Sequence, residues 1–448
     1  MPSVLNLQAQ DVDSKEKRAK YTVSIIGCGQ IGILYADVFA EAGYRVTCND
    51  ENQNLLKRLT RAKNCCANPE IETRLKKHID TGNLTTSNIR KNTVAQSDII
   101  VLAINIRMDP KKKSDSTELE GAYKQVGSAL KYGSLLIYGG ISGFGSTETL
   151  LKETLENTSG LKEGKDFLLA YNPLHFPKTH LIKSLNNIEL IIASATQQSL
   201  DVATTVLKTV AAKVKQTNQV RIAELATLFK AAQQDACMAL ANELAKFCEK
   251  AGMDYYKVQE LISGESTSFL PAMGEEENRK ETYLLIESAE NLNVKLRLLQ
   301  LSRQINEEVV KHAINLTQEA LRSCDKSLRR ARVAVFGTSN QNTATAKYIE
   351  QATAKGAKIT LYDPLLAKNE TLDMTPVLKK SLSETVEGAD CFVILTGQEQ
   401  FKRLNLKKLK TVMKSPAMLV DLIGITDSEK AQAEGFIYRG IGRGVDKP

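Results

Sequence analysis

The chain has 448 residues, enough for two or three domains, and its 42% apolar content is ample for sizeable cores. Charged residues at 25% and a net charge of +8, from 60 basic against 52 acidic side chains, argue against wholesale disorder. The basic excess is spread thinly, with small clusters at 111–113, 329–332 and 407–410, so no nucleic-acid partner is expected. No apolar run approaches the roughly 18 residues of a spanning helix, so no membrane association is expected. Residues 1–20 are polar and mixed in charge and read as a flexible tail rather than a secretory signal. The expected location is the cytoplasm. The eight cysteines (28, 48, 65, 66, 237, 248, 324 and 391) form no CxxC pair, and with only four histidines neither a metal site nor a disulfide framework is expected.

Residues 21–26 (YTVSII) read as a buried strand that runs directly into Gly27-Cys28-Gly29-Gln30-Ile31-Gly32. A helix-periodic stretch over 31–42 follows and stops at Gly43, and a second strand, 45–49, ends at Asp50. Further short apolar runs at 98–104, 134–138, 167–171 and 188–193 alternate with helical patterns, which argues for a parallel sheet covered on both faces. Residues 221–251 contain neither Gly nor Pro. They place Ile222, Leu225, Phe229, Ala232, Ala236, Leu240, Leu244 and Phe247 at helical spacing, predicting one helix of roughly 45 Å. Helical character resumes over 295–322. A second α/β region starts at 332–337 and continues through 358–362, 391–396 and 418–421. The expected fold is α/β, with two Rossmann-like, doubly wound parallel-sheet domains joined by a long central helix and a helical middle domain. The expected divisions are 1–20, 21–215, 216–328 and 329–448.

Gly-x-Gly-x-x-Gly between a strand and a helix, with an acid closing the next strand about 20 residues on, is the dinucleotide-binding fingerprint. Gly27 permits the tight turn, Gly29 lets a pyrophosphate approach the backbone, and Gly32 lets the helix lie close to the sheet. The free amides at the helix start, from Gln30 and Ile31 onward, attract the phosphates. Asp50 accepts hydrogen bonds from a ribose and repels a 2′-phosphate, so NAD is the expected cofactor. The alternative is a glycine turn that merely packs strand on helix.

Several segments in a shared order resemble the UDP-glucose/GDP-mannose (nucleotide-sugar) 6-dehydrogenase family, over about residues 21–444. They are VTCNDEN (46–52), SGFGSTE (142–148), DFLLAYNP (166–173), Ala223-Glu224, Asn242-Glu243, CEKAGMD (248–254) and SRQIN (302–306). The last domain adds Tyr362-Asp363-Pro364, Ala389-Asp390, ILT (394–396), Phe401 and YRGIGRG (438–444). The resemblance implies oxidation of a sugar 6-hydroxyl to a carboxylate in two hydride transfers to NAD, in polysaccharide or glycan precursor synthesis. It implies a UDP- or GDP-linked sugar as ligand and a homodimer through the central helix. It further implies a Cys that captures the aldehyde, a Lys and an Asn on the central helix, and a Glu in a Ser-Pro-Glu-Arg segment.

The chain departs from that pattern at each of these positions. No Cys lies between Cys248 and Cys324, and the loop that should carry it reads PAMGEEENRKETYLL (271–285), with Glu276 near the thiol's place. Thr227 and Ala231 stand where the Lys and Asn belong, and Asn172-Pro173-Leu174-His175 replaces the segment with the Glu. SNQNTATAKYIEQA (339–352) lacks the family's Lys and acidic pair. Cys237 and Cys248 read as packing, His175 and His180 as loop histidines with a general base as the alternative, and Glu275, Glu276 and Glu277 as a solvated acidic face. The expectation is an NAD-binding relative of the nucleotide-sugar 6-dehydrogenases whose turnover these losses put in question, with no catalytic residue assigned. The alternatives are a non-catalytic NAD-binding scaffold or regulatory partner of an active dehydrogenase, and a purely structural assembly protein that binds no nucleotide.

Overall fold

The computed structural model describes residues 3–63, 65–66, 69–174, 189–262, 270–273, 280–337, 344–364 and 377–444. By internal contacts the chain divides into two compact units, Met1–Lys230 with Tyr283–Val294, and Ala231–Thr282 with Lys295–Pro448.

The first unit is built on β1 (Thr22–Ile26), β2 (Arg45–Asn49), β3 (Leu84–Ser87), β4 (Ile99–Leu102), β7 (Leu135–Tyr138), β8 (Leu168–Tyr171), β9 (Glu189–Ala193) and β10 (Lys213–Thr217). A small hairpin, β5 (Arg107–Met108) with β6 (Ser114–Asp115), stands apart from that sheet. The eight strands lie in the order β10-β9-β8-β7-β4-β1-β2-β3 and are parallel except where β8 meets β9. β4, β7 and β8 (IIVL, LLIY, LLAY) are buried at every position, as strands covered on both faces must be. The sequence pattern located these strands but not β3 or β10. The latter, KVKQT, is a largely exposed edge strand with no apolar signature.

The segment expected as a flexible tail belongs to this unit from Ser3 onward. Val4, Leu5, Leu7 and Val12 are buried in its core, and the Val4 amide donates to the Gly133 carbonyl at 3.0 Å. Four apolar side chains in a polar stretch were enough to anchor it, which mean composition concealed.

The second unit carries β11 (Arg332–Phe336), β12 (Lys358–Tyr362), β13 (Val377–Leu378), β14 (Cys391–Ile394), β15 (Met418–Asp421) and β16 (Ile437–Gly440), all parallel, in the order β13-β12-β11-β14-β15-β16. Alternate residues feed two cores. Val333, Val335, Val393 and Val420 join one, and Ala334, Phe336, Phe392 and Leu419 join the other.

Three helices matter for the site: α1 (Gln30–Glu41), α2 (Val220–Ala251) and α3 (Arg297–Arg322). On α2 the buried side is mostly small or polar, with Ala223, Glu224, Thr227, Ala231, Asp235, Asn242 and Ala245 beside the larger Val220 and Leu228. The large apolar side chains Ile222, Phe229, Leu240, Leu244 and Phe247 face outward, between 44% and 70% exposed. Among the described residues no helix is long and apolar enough to cross a membrane.

Candidate functional site

In the first unit β1 ends in a turn that only glycine can make. Gly27 has φ +92°, and a Cβ there would fall 2.8 Å from Ile104 Cγ1 and 2.9 Å from the Ala103 carbonyl oxygen. The Gly27 amide donates to the Asn49 carbonyl at 2.9 Å, tying the turn to β2. A Cβ on Gly32 would meet the Gly27 carbonyl oxygen at 1.8 Å, so α1 can start this close to the strand only with glycine there. Gly29, the residue that caps α1, has nothing within 4 Å of the same position and supplies no side chain to the helix's first amides. Gln30 is exposed and Ile31 half-buried. The turn therefore presents backbone donors and the positive end of a twelve-residue helix to open space.

Asp50 follows β2 directly. Its carboxylate accepts from the Cys28 amide at 2.7 Å and the Asn52 amide at 2.8 Å, which fixes it beside the glycine turn. Neighbouring Cys48 and burial push the Cys28 thiol well up, so it stays protonated and unreactive. The six positions singled out in the sequence, Gly27, Gly29, Gln30, Ile31, Gly32 and Asp50, thus lie on one edge at the C-terminal end of the sheet. They surround β1, from which the order runs one way to β2 and the other to β4, the switch point where open α/β sheets bind dinucleotides.

A second loop at that edge follows β7. The SGFGSTE turn is held by Glu224 of α2, whose carboxylate accepts from the Gly145 amide at 2.6 Å and the Thr147 amide at 2.9 Å. Burial pushes the Glu224 carboxyl up against the opposing pull of those amides. Arg221 adds an ion pair to Glu148 at 2.9 Å. After β8, Asn172 is buried. Its side-chain oxygen and its carbonyl accept from the Tyr35 hydroxyl at 2.8 Å, and its side-chain Nδ2 donates to the Ile191 carbonyl at 2.6 Å.

Thr227 and Ala231, which the resemblance sets against the family's helix Lys and Asn, both lie on the buried side of α2. Thr227 is buried and donates its hydroxyl to the Ala223 carbonyl at 3.0 Å, and Ala231 is a buried methyl. Burial raises the Cys248 thiol, which packs in the second unit's core. His175, His180, Glu275, Glu276 and Glu277 lie outside the described residues, as do 339–343.

Sequence reasoning missed a buried polar cluster in the second unit. Arg303 of α3 donates to Asp235 of α2 at 2.9 Å, with both side chains under 5% exposed. Asn306 donates to the same carboxylate at 2.8 Å and accepts from Asn242 at 2.9 Å. Glu281 is also buried. Burial raises its carboxyl, and Asp235 adds to the effect. Among the described residues Asp235 Oδ2 and Glu281 Oε2 have no hydrogen-bond partner. The available signal was a second acid, after Glu224, on the alanine-rich side of α2, with an Arg-x-x-Asn on the next long helix.

The C-terminal YRGIGRG segment closes on the same unit. The Gly442 amide donates to Glu249 at 2.7 Å, Glu249 meets His312 at 2.9 Å, and Arg443 pairs with Asp254 and covers the Tyr256 ring at 4.0 Å.

Comparison with known proteins accounts for this layout. Residues 21–211, 221–308 and 338–428 match, in order, the NAD binding, central and UDP binding domains of the UDP-glucose/GDP-mannose dehydrogenase family. A UDP-N-acetyl-D-mannosamine dehydrogenase of Pyrococcus horikoshii is 28% identical over 437 residues, covering 94% of this chain and 99% of its own. The UDP-glucose 6-dehydrogenase TuaD of Bacillus subtilis is 24% identical over 94% of this chain and 93% of its own. The solved UDP-D-ManNAc dehydrogenase of Pyrococcus horikoshii superposes with a TM-score of 0.80 at 26% identity, covering 94% and 99% of the two chains. The open surface at Gly29, the glycine-only contacts at Gly27 and Gly32 and the fixed acid after β2 fit the dinucleotide that the first of these domains is built for. Three consecutive domains of one family, together spanning most of the sequence, place the chain in the UDP-glucose/GDP-mannose dehydrogenase family, with NAD as its cofactor.

Proposed function

We propose that the chain holds NAD at the β1 turn and a UDP-linked sugar through its C-terminal domain, but does not perform the four-electron oxidation. Gly27, Gly29, Gln30, Ile31 and Gly32 would take the pyrophosphate, and Asp50 the adenosine ribose. The UDP binding domain match and relatives that act on UDP-N-acetyl-D-mannosamine and UDP-glucose favour a UDP-sugar over a GDP-sugar.

The observation that carries the loss of turnover is on α2. A methyl at Ala231 and a hydroxyl at Thr227 already committed to the Ala223 carbonyl offer nothing to a developing oxyanion. No thiol lies between Cys248 and Cys324 to capture an aldehyde. The cofactor would supply hydride acceptance, and the chain's own residues supply only its binding and orientation. The chain then serves as an NAD-binding scaffold or a regulatory partner of an active dehydrogenase.

The test is the NADH formed per sugar consumed with UDP-N-acetylmannosamine and UDP-glucose, alongside calorimetric NAD binding. NAD binding without NADH is expected. Two NADH per sugar with a carboxylate product would refute the reading, and one NADH with an aldehyde product would reduce it to a truncated oxidation.

We further propose a homodimer through α2. The outward stripe of Ile222, Phe229, Leu240, Leu244 and Phe247 recurs at spacings of 7, 11, 4 and 3 residues along one helix face, and single helices rarely leave so many large apolar side chains in water. Light scattering should give twice the chain mass, and Leu240→Asp with Phe247→Asp should give the monomer. A monomeric parent at micromolar concentration would rule this out.

A further inference from the structure

In the first unit, between the helices Gln53–Thr60 and Pro69–Asp80, the chain carries two adjacent cysteines that neither the dinucleotide site nor the sugar chemistry uses. Cys65 is buried and belongs to the unit's hydrophobic core, Cys66 is half-buried, and neither is in a disulfide. Glu72, in the first turn of the second of those helices, reaches back so that its Oε1 accepts from the Cys65 amide at 2.8 Å. Both thiol sulfurs and a Glu72 oxygen lie within 4.8 Å of one another. Among the described residues no other group of three such donors converges this closely.

A tetrahedral site with Zn–S near 2.3 Å and Zn–O near 2.0–2.2 Å sets neighbouring donors roughly 3.5–3.8 Å apart. Donors already within 4.8 Å need to close by only about 1 Å. Two sulfurs and one carboxylate oxygen suit a borderline-soft cation and not the oxygen-seeking Mg²⁺ or Ca²⁺.

We propose that Cys65, Cys66 and Glu72 form a mononuclear site for a thiophilic divalent cation of the Zn²⁺ class, with water as the fourth ligand. Binding forms two metal–thiolate bonds and releases the two thiol protons to solvent. The site would staple Cys65 and Cys66 to the first turn of the second helix. The absence of CxxC spacing from the sequence did not exclude it, because adjacent cysteines need only a third donor brought back by the fold.

The full-length, reduced and chelator-stripped chain is titrated with Cd²⁺, read by its sulfur-to-metal charge-transfer absorption. The expected result is one Cd²⁺ per chain, displaceable by Zn²⁺. Cys66→Ser should abolish the band and weaken uptake by about 100-fold or more, and Glu72→Gln should keep the band and weaken uptake about 10-fold. Cys324→Ser should change nothing. NAD binding by each variant reports that the first unit is folded. A band that survives Cys66→Ser at full affinity, or no uptake at micromolar Cd²⁺, overturns the site.

Discussion

The two sheets repeat one frame and differ in what they hang on it. From β3 to β8, and again from β13 to β16, the strand order is third-second-first-fourth-fifth-sixth. The glycine after the first strand donates to the end of the second in both, Gly27 to Asn49 and Gly337 to Tyr362, each at 2.9 Å. An aspartate just ahead of the fourth strand holds the first residue of the first strand in both, Asp98 to the Thr22 amide and Asp390 to the Arg332 amide, again at 2.9 Å. An acid follows the second strand in each, but Asp50 is half-exposed beside an open glycine turn, whereas Asp363 is buried and accepts from the Gln398 side chain at 3.2 Å. The paired glycines are equally crowded, a Cβ on Gly27 meeting Ile104 and the Ala103 carbonyl and one on Gly337 the Thr396 hydroxyl and the Phe401 ring. Topology alone does not make a dinucleotide site. The residues after the first and second strands decide it.

The largest break in that comparison should come from Gly32→Ala, which sets a methyl against a backbone oxygen that cannot swing aside. It should destabilise the first unit by about 3 kcal/mol and abolish NAD binding. Gly29→Ala separates the two effects. Its backbone is compatible with alanine and nothing in the protein is near, so the melting temperature should hold while NAD affinity falls about 10-fold. If thermal unfolding and calorimetry show Gly29→Ala binding NAD as the parent does, the pyrophosphate does not pass over that residue.

A smaller effect should distinguish the two acids. Asp50→Ala removes the proposed charged bonds to the ribose, worth about 1.5–3 kcal/mol, so NAD affinity should drop by about ten-fold or more. Asp363→Ala, at the same topological place in the other sheet, should leave NAD binding untouched. Equal losses in calorimetry would mean that the second sheet also takes the dinucleotide.

What could be read without coordinates follows the same division. Strands buried on both faces announce themselves as unbroken apolar runs, so β1, β4, β7, β8 and β14 were legible. β3 and the exposed edge strand β10 were not, because their pairing is a backbone property. The dinucleotide turn was legible because glycine is the one residue its contacts tolerate. The outward direction of Leu240, Leu244 and Phe247 was not, since periodicity shows that a helix has a stripe but not which stripe meets the core. The Asp235–Arg303–Asn306 cluster joins α2 to α3 across 68 to 71 positions, a separation no local pattern encodes, and the return of Glu72 to Cys65 and Cys66 over 6 to 7 positions depends on how the intervening turn folds.

The smallest expected effect tests whether the shared frame carries equal weight in both sheets. Burial pushes the Asp390 carboxyl up, but the Arg332 amide and the Lys326 ammonium outweigh it and hold the group below the ordinary carboxylate range. A carboxylate with a depressed native pKa contributes stability that is fully present above its unfolded value, about 4, and lost as the pH falls through the native one. Asp390→Asn should therefore cost about 1.5 kcal/mol at neutral pH. The gap between parent and variant should narrow steadily below about pH 4. Buried Asp421, which burial pushes the opposite way, is common to both chains and cancels from that difference. Thermal unfolding across that range reads it directly. If the gap stays constant down to low pH, the paired amide and ammonium are not what Asp390 contributes. The same substitution at Asp98, whose carboxylate takes the Thr22 amide at 2.9 Å and the Lys131 ammonium at 2.8 Å, then shows whether the first sheet depends on its copy of the bond to the same degree.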